Sequence, residues 1–260
     1  MSEQTSDGTD LLRLASVDNF RDVAGRGYAG ADGRPVATGV FYRSNELRLS
    51  GEDLAAASAL GLTGIIDLRS DAEIERHRDP DVPGAPWRHF DVIGIPMEQV
   101  AGLRTHEAAV ELMDRVYRGF VESEHCRSAF AGVLDALAEG GPQLFHCTAG
   151  KDRTGWVAAL LLHVAGVDDA TIERDYLLTN TRSEASRTRT EQEIAAHLGQ
   201  QAVEVFEPTL VADAEYLQAA YTSVERLYGD RDSYLRDGLG LGEATLERLR
   251  SHLLQTPLPD

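Results

Sequence analysis

The stretch Gln143-Leu144-Phe145-His146-Cys147-Thr148-Ala149-Gly150-Lys151-Asp152-Arg153-Thr154-Gly155-Trp156 decides how this chain folds. Gly140-Gly141-Pro142 before it is a turn, so residues 143–145 read as a short strand leaving that turn. Residues 156–162 form an unbroken apolar run and read as a buried helix. A strand, a tight loop and a helix start in that order build a cradle for an anion. Loop N–H groups point inward, and the helix N-terminus adds its partial positive charge. The same field favours a thiolate over a thiol at Cys147. Arg153 carries a planar fork that matches two phosphoryl oxygens. A nucleophile and an anion clamp share one loop.

Outward from this loop, strands and helices alternate. Residues 39–43, 63–68 and 87–92 read as strands, the second of them β-branched and buried. Residues 52–60 form a helix stopped by Gly61, and Asp71 begins a short charged helix with Ser70 as its N-cap. The alternation predicts an α/β layer around a largely parallel sheet. From Glu107 the pattern turns helical. Val110, Met113, Val116, Tyr117, Phe120 and Val121 share one helical face, and Phe130, Val133, Leu134 and Leu137 form the next stripe. After Asp175 only helices are expected, over 183–198, around Leu217–Tyr221–Val224–Tyr228, and around Leu246–Leu249–Leu253.

The chain has 260 residues, 42% of them apolar, enough for one substantial core. Residues 1–13 read as a polar tail and 14–258 as a single domain. No apolar run approaches 18 residues and no basic-plus-apolar leader opens the chain, so a soluble, unprocessed protein without stable membrane anchoring is expected. Two cysteines, Cys126 and Cys147, supply no disulfide framework and suit a reducing cytoplasm. The net charge of −18 speaks against a nucleic-acid partner. It does not forbid an anionic substrate, because distant carboxylates are screened beyond about 8–10 Å. Composition leaves the oligomeric state open.

Within the loop, Thr148, Ala149, Gly150, Lys151, Asp152, Arg153 and Thr154 are the candidate phosphate-binding residues, with Cys147 and Arg153 as the catalytic pair. Thr154 offers a hydroxyl to the departing sulfur, or a plain N-cap. His146 is expected to orient the loop rather than act as a base. Cys126 has no basic loop around it and reads as structural. A departing alkoxide or phenoxide needs a proton from a carboxylic acid. Asp152 ranks first for that role and Asp91, at the end of a strand, competes with it. Asp22 and Asp67 each adjoin an arginine and read as internal ion-pair partners. The loop is no Walker A sequence, since Phe145 stands where Gly is required. His77-Arg78-Asp79 lacks the other kinase signatures, and the eight histidines lack ligand spacing, so neither a metal nor another cofactor is expected.

Cys147 to Arg153 matches the Cys-x5-Arg signature, and the fuller His146–Gly155 string resembles that of bacterial cysteine-dependent tyrosine phosphatases of the mycobacterial PtpB type. Asn19-Phe20-Arg21-Asp22-Val23-Ala24-Gly25, Phe41-Tyr42-Arg43-Ser44-Asn45-Glu46-Leu47, Ile66-Asp67-Leu68-Arg69-Ser70 and Asp175-Tyr176-Leu177-Leu178-Thr179-Asn180 resemble further motifs of that family, in its order. The resemblance implies a three-layer cysteine-phosphatase fold with an extended helical C-terminal region, and a helical lid at about 182–205. It implies hydrolysis of phosphotyrosine through a phosphocysteine intermediate, extending to phosphoserine/threonine or phosphoinositide monoesters. His146, Asp22 and Arg43 are the supporting residues it suggests. A phosphorylated protein or a phosphoinositide would be the partner. A phosphoinositide-preferring lipid phosphatase and a catalytically silent phosphate-binding module are the alternatives. Some related enzymes are secreted, a route that would need no signal peptide here.

Overall fold

The computed structural model describes residues 14–95 and 97–254, the side chains of Met97 and Glu98 excepted. The tail at 1–13 and the end of the expected domain at 255–258 lie outside the described residues. Strands β1 (Arg21–Asp22), β2 (Phe41–Ser44), β3 (Gly64–Asp67), β4 (Trp87–His89) and β5 (Gln143–His146) form one sheet in the order β1-β2-β5-β3-β4. Only the β1–β2 pair is antiparallel. The expected α/β architecture with a mostly parallel sheet is therefore present. The register sets Ser44 beside His146 and His146 beside Asp67. Three parallel strands thus end level with one another, and the Cys147 loop leaves from the middle one. The carboxyl ends of parallel strands are where open α/β sheets place their ligands.

Helices α1 (Gly51–Ala59) and α2 (Asp71–Arg76) follow β2 and β3, and α3 (Met97–Ala101), α4 (His106–Glu122) and α5 (Glu124–Leu137) lie between β4 and β5. Beyond β5 come α6 (Asp152–Val164), α7 (Asp169–Arg182), α8 (Glu184–Leu198), α9 (Gln200–Leu210), α10 (Ala214–Tyr228), α11 (Arg231–Ser233) and α12 (Glu243–Leu253). The period of two along a strand splits the core. Leu144 and Ile65 face a small cluster with Leu14, Phe20, Leu47, Ala57 and Val82. Phe145, Ile66 and Phe41 face the large one, where α4, α5, α6, α10 and α12 contribute Tyr117, Phe130, Trp156, Val224 and Leu249. Helix α6 is buried nearly all round, as its unbroken apolar run requires. Two cores on opposite faces of one sheet make three layers.

The strand expected over 87–92 ends at His89. Two more bonds to the β3 side persist, Phe90 N–H to Asp67 O at 2.9 Å and Val92 N–H to Leu68 O at 3.3 Å. The chain then leaves the sheet because Phe90 packs over Gly132 of α5, where even a Cβ would lie 2.5 Å from its ring. Residues 91–95 become a loop at the sheet's carboxyl edge.

A buried charge cluster ties the first two strands to the helical layer. Asp175 of α7 accepts from Arg21 Nε at 3.2 Å and from Arg43 Nη1 at 3.0 Å, and Tyr28 OH donates to it at 3.3 Å. Burial alone would raise the Asp175 carboxyl, but the two guanidinium groups outweigh it and hold the pKa below the usual range. Arg43, fully buried beside Arg21, is pushed down to about 10. Removing the shared carboxylate would leave two buried cations facing each other. Asp175→Ala is expected to cost about 3–5 kcal/mol, read as a lower denaturation midpoint in guanidinium chloride.

Candidate active site

Loop geometry begins at Gly150. Its φ is +65°, and a Cβ there would lie 2.4 Å from Ser44 O and 2.6 Å from Asn45 N. Only glycine fits so close to the end of β2. Its carbonyl is gripped from outside by Asn19 Nδ2 at 2.8 Å and Arg43 Nη2 at 3.0 Å. The Thr148 carbonyl accepts from Glu46 N–H at 3.1 Å, and the Cys147 carbonyl from His146 Nδ1 at 3.2 Å. In a planar trans peptide the C=O and the following N–H point opposite ways. Holding these three carbonyls outward therefore turns the amides of Thr148, Ala149 and Lys151 toward the other side, as an anion cradle requires.

Arg153 opens α6 in the position the cradle argument needs, and it is buried, 6% exposed. Its Nη1 and Nη2 each donate to one oxygen of Glu73 at 2.7 Å, a bidentate pair. Glu73 also closes the capping box of α2, accepting from Ser70 N–H at 2.9 Å, and it receives the Thr148 hydroxyl. Burial would raise the Glu73 carboxyl, yet Arg153, Thr148 and Ser70 together hold it well below the carboxylate range. Above the guanidinium passes the 91–95 loop. A Cβ on Gly94 would sit 2.9 Å from Arg153 Cζ. The clamp is fixed from below by a carboxylate and from above by a glycine.

Behind Cys147 lies a second charge cluster. His146 Nε2 is 2.8 Å from Asp79 Oδ2, and Arg69 bonds Asp67 at 2.8 Å and Asp79 at 2.9 Å. Asp67 is therefore the ion-pair partner its neighbouring arginine suggested. Burial would lower the His146 pKa, but Asp79 and Asp67 outweigh burial and raise it. Among the described residues, Asp67, Asp79 and His146 bring potential ligand atoms within 4.8 Å of one another. Arg69 already pairs with both carboxylates, so the cluster is a cation-neutralised one and a poor fit to a metal ion.

Of the candidate acids, Asp152 is tethered through Oδ1, which accepts from Lys151 Nζ at 2.7 Å and from Tyr117 OH at 2.8 Å. Tyr117 in turn meets Tyr176 OH at 2.6 Å. Burial and the nearby Asp152 charge push both phenols well above their usual pKa, so they stay neutral. Asp91 is 41% exposed and stands beside His125, with its Oδ2 3.8 Å from the imidazole. It starts the loop that roofs Arg153. Asp22, expected as an arginine's partner, instead accepts from the backbone N–H groups of Ala24 and Gly39 and closes a turn. Thr154 Oγ1 is buried without a hydrogen-bond partner among the described residues, which leaves its hydroxyl free in the first turn of α6. Cys126 is also buried, and desolvation raises its thiol pKa, as its inert reading requires.

Residues with a part in this geometry that had been given none from the sequence include Asn19, Glu73, Asp79, Tyr117 and Asp175. Glu73 carried a legible signal, since Ser70-x-x-Glu73 spells a capping box. Asp175 stood in a motif already noticed. Asp79 and Tyr117 come from loop and helix positions whose proximity only the fold creates.

A cavity of about 520 Å³ opens over the loop. Thr148, Ala149 and Lys151 of the loop line it together with Asn45, Glu46 and Arg48 and with Arg187 and Arg189 of α8.

A sequence profile of the tyrosine phosphatase family matches residues 12–255. The chain is 32% identical to the triple specificity protein phosphatase PtpB of Mycobacterium tuberculosis, covering 94% of this chain and 99% of the relative. It is 36% identical to a Cupriavidus necator protein whose name marks it as a proposed tyrosine-protein phosphatase, covering 95% and 89%. A tyrosine-protein phosphatase of Nostoc commune is 30% identical, over 85% of this chain and 76% of its own length.

The raised His146 pKa sets a direction for stability. The folded state holds this proton more tightly than the unfolded chain, so the stabilisation is complete below the unfolded value of about 6.5. It is lost as pH rises through the folded value. Thermal unfolding followed from pH 6 to pH 9 is expected to show a falling midpoint, and His146→Asn is expected to flatten that fall.

Proposed function

The chain belongs to the tyrosine phosphatase family, and from that premise we propose how this loop carries out the hydrolysis of phosphotyrosine. Cys147 is the nucleophile. Its sulfur forms a bond to phosphorus as the bond from phosphorus to the tyrosyl oxygen breaks, and an aspartic acid delivers its proton to that oxygen. Water then attacks the phosphocysteine and gives its proton to the same aspartate. The S–P bond breaks, and inorganic phosphate leaves. The outward grip on the Cys147, Thr148 and Gly150 carbonyls is the observation that carries this reading. It aims amides at the equatorial oxygens before any substrate arrives, which is electrostatic preorganisation rather than induced ordering.

Arg153 fits the same scheme. Glu73 takes one hydrogen from each terminal nitrogen, which leaves the side-on fork of Nε and Nη2 for two phosphoryl oxygens. Asp152 remains the first choice for the acid, because its tethers both end on Oδ1 and leave Oδ2 to hold the proton. Asp91 is the competitor, placed on the loop above Arg153. The unpartnered Thr154 hydroxyl supports a role in easing the sulfur's departure. Helix α8 supports the lid reading, since it contributes no buried residue and meets α9 at Gly199, whose φ is +90°. Lys151 and the similarity to a phosphatase named for triple specificity support a range wider than phosphotyrosine. The described helices include none long and apolar enough to cross a membrane.

Cys147→Ser is expected to reduce hydrolysis of phenyl phosphate to background while phosphate binding persists. Full activity in that variant would sink the mechanism. Asp152→Asn and Asp91→Asn should be compared across pH. The true acid's variant is expected to lose about 100- to 10,000-fold in kcat together with its decline at alkaline pH. It should lose least on substrates whose leaving phenol is already acidic. If neither variant behaves so, both assignments fail.

A further inference from the structure

Asp152 opens α6 against a set of buried aromatic rings. Tyr117 of α4 and Tyr176 of α7 converge on it, and both are fully buried. Their rings meet edge to face, with centroids 6.3 Å apart. Tyr176 reaches this place over Gly155, where a Cβ would lie 3.0 Å from its Cδ2 and Cε2. The first turn of α6 thus leaves room for the ring. A third ring, that of Tyr216 in α10, has its centroid 5.9 Å from the Lys151 ammonium, a cation–π distance.

Hydrogen counting gives this network a direction. A phenol carries one hydrogen to donate. Tyr117 donates its own to Asp152 Oδ1 at 2.8 Å, so the 2.6 Å contact between the two hydroxyls is a donation from Tyr176 to Tyr117. Lys151 Nζ donates to the same Oδ1 at 2.7 Å. Tyr176 polarises Tyr117, and Tyr117 and Lys151 together occupy Oδ1. Both phenols are kept neutral by burial and by the Asp152 charge, so neither surrenders its hydrogen.

We propose that Tyr117 is a positioning residue for the acid step, holding Asp152 Oδ1 so that the transferable proton resides on Oδ2, with Tyr176 orienting Tyr117 from behind. The proposal rests on the phosphatase reading and on Asp152 as the acid. An untethered carboxyl group rotates and can carry its proton on either oxygen. Here a proton on Oδ1 would displace one of two donors. In the first step the Oδ2–H bond breaks, the hydrogen passes to the tyrosyl oxygen, and the electron pair stays on the carboxylate. In the second step water returns a proton to the same oxygen. The hydroxyl chain is unchanged throughout, so every turnover starts from one carboxyl orientation. Packing accounts for the two rings but not for their hydroxyls, which are tolerated in the interior only because each is bonded.

The test is Tyr117→Phe in the full-length enzyme, which keeps the ring and removes one hydroxyl. On phenyl phosphate kcat/KM is expected to fall about tenfold, through kcat rather than KM. On 2,4-dinitrophenyl phosphate, whose leaving phenoxide needs no proton, the fall in kcat/KM is expected to stay below about twofold. Tyr176→Phe should show the same pattern with a smaller loss, because Tyr117 keeps its bond to Asp152. In the Asp152→Asn background Tyr117→Phe is expected to add less than about twofold. Equal losses on the two substrates would make Tyr117 a structural residue and overturn the proposal. So would an unchanged Tyr117→Phe enzyme, or a full further loss in the Asp152→Asn background. If Tyr117→Phe does not fold, Tyr176→Phe decides by the same comparison of substrates. Loss of the alkaline decline in Asp91→Asn but not in Asp152→Asn would place the acid elsewhere, and the proposal would fall while the phosphatase reading stood. Full activity in Cys147→Ser would instead strike the phosphatase reading itself.

Discussion

One carbonyl oxygen, that of Gly150, takes two hydrogen bonds from the far side of the loop, and the active-site geometry hangs on them. Asn19 and Arg43 reach it from β1's approach and from β2, and Arg43 can do so only because Asp175 neutralises it. A fully buried guanidinium without that carboxylate would be too costly to retain. The helical layer thus supports the loop through a chain of three charged or polar groups, α7 to β2 to the catalytic turn. Glycine at 150 is the other half of the constraint, because any side chain would strike the Ser44 carbonyl that ends β2. The loop's shape is set from outside, by groups that never meet the substrate.

The same logic runs through the other buried charges. Arg69 is matched by Asp67 and Asp79, and Arg153 by Glu73. Each of these cations is paired with carboxylates, while Arg21 and Arg43 share Asp175, so the excess of acidic residues resides mainly elsewhere. The contradiction between a net charge of −18 and an anionic substrate dissolves at this scale. Inside the cradle the nearest fixed groups are amides and one arginine whose fork is half spent on Glu73. On the proposed reading, what a phosphoryl group meets is a preorganised partial charge, screened from the sign of the distant surface.

Much of this was legible in the chain. The turn at Gly140-Gly141-Pro142 and the apolar run after Trp156 placed the central strand and the central helix correctly, since both depend on local composition. The C-terminal helices expected at 183–198, around Leu217–Tyr228 and around Leu246–Leu253 also fell where their patterns put them. The strand at Trp87 ran short because its end is decided by Phe90 packing on α5, a contact between distant segments. Asp22 looked like an ion-pair partner because it follows Arg21, but adjacent residues on a strand point to opposite faces. Arg21 therefore turned to Asp175, and Asp22 to the backbone. Cys147 and Arg153 were readable because a short loop keeps sequence neighbours together. Glu73 was legible only as a capping residue, and Asp79 and Tyr117 not at all, because their meeting with the loop is a product of the fold.

Helix α8 buries none of its side chains, whereas α9, beyond Gly199, packs against α4. A segment so placed belongs to neither hydrophobic cluster, and of its apolar side chains Ile194 and Ala195 are only half-buried. The cooperative core and this single helix are therefore expected to differ in stability, with the helix the weaker. Denaturation curves report the first and are blind to the second. Backbone amides of α8 can exchange with solvent by subglobal opening while the sheet and the catalytic turn stay intact. Substitutions on the exposed face of that helix are therefore expected to cost the fold less than substitutions in the core, which leaves that face to answer to what the cavity beside it admits.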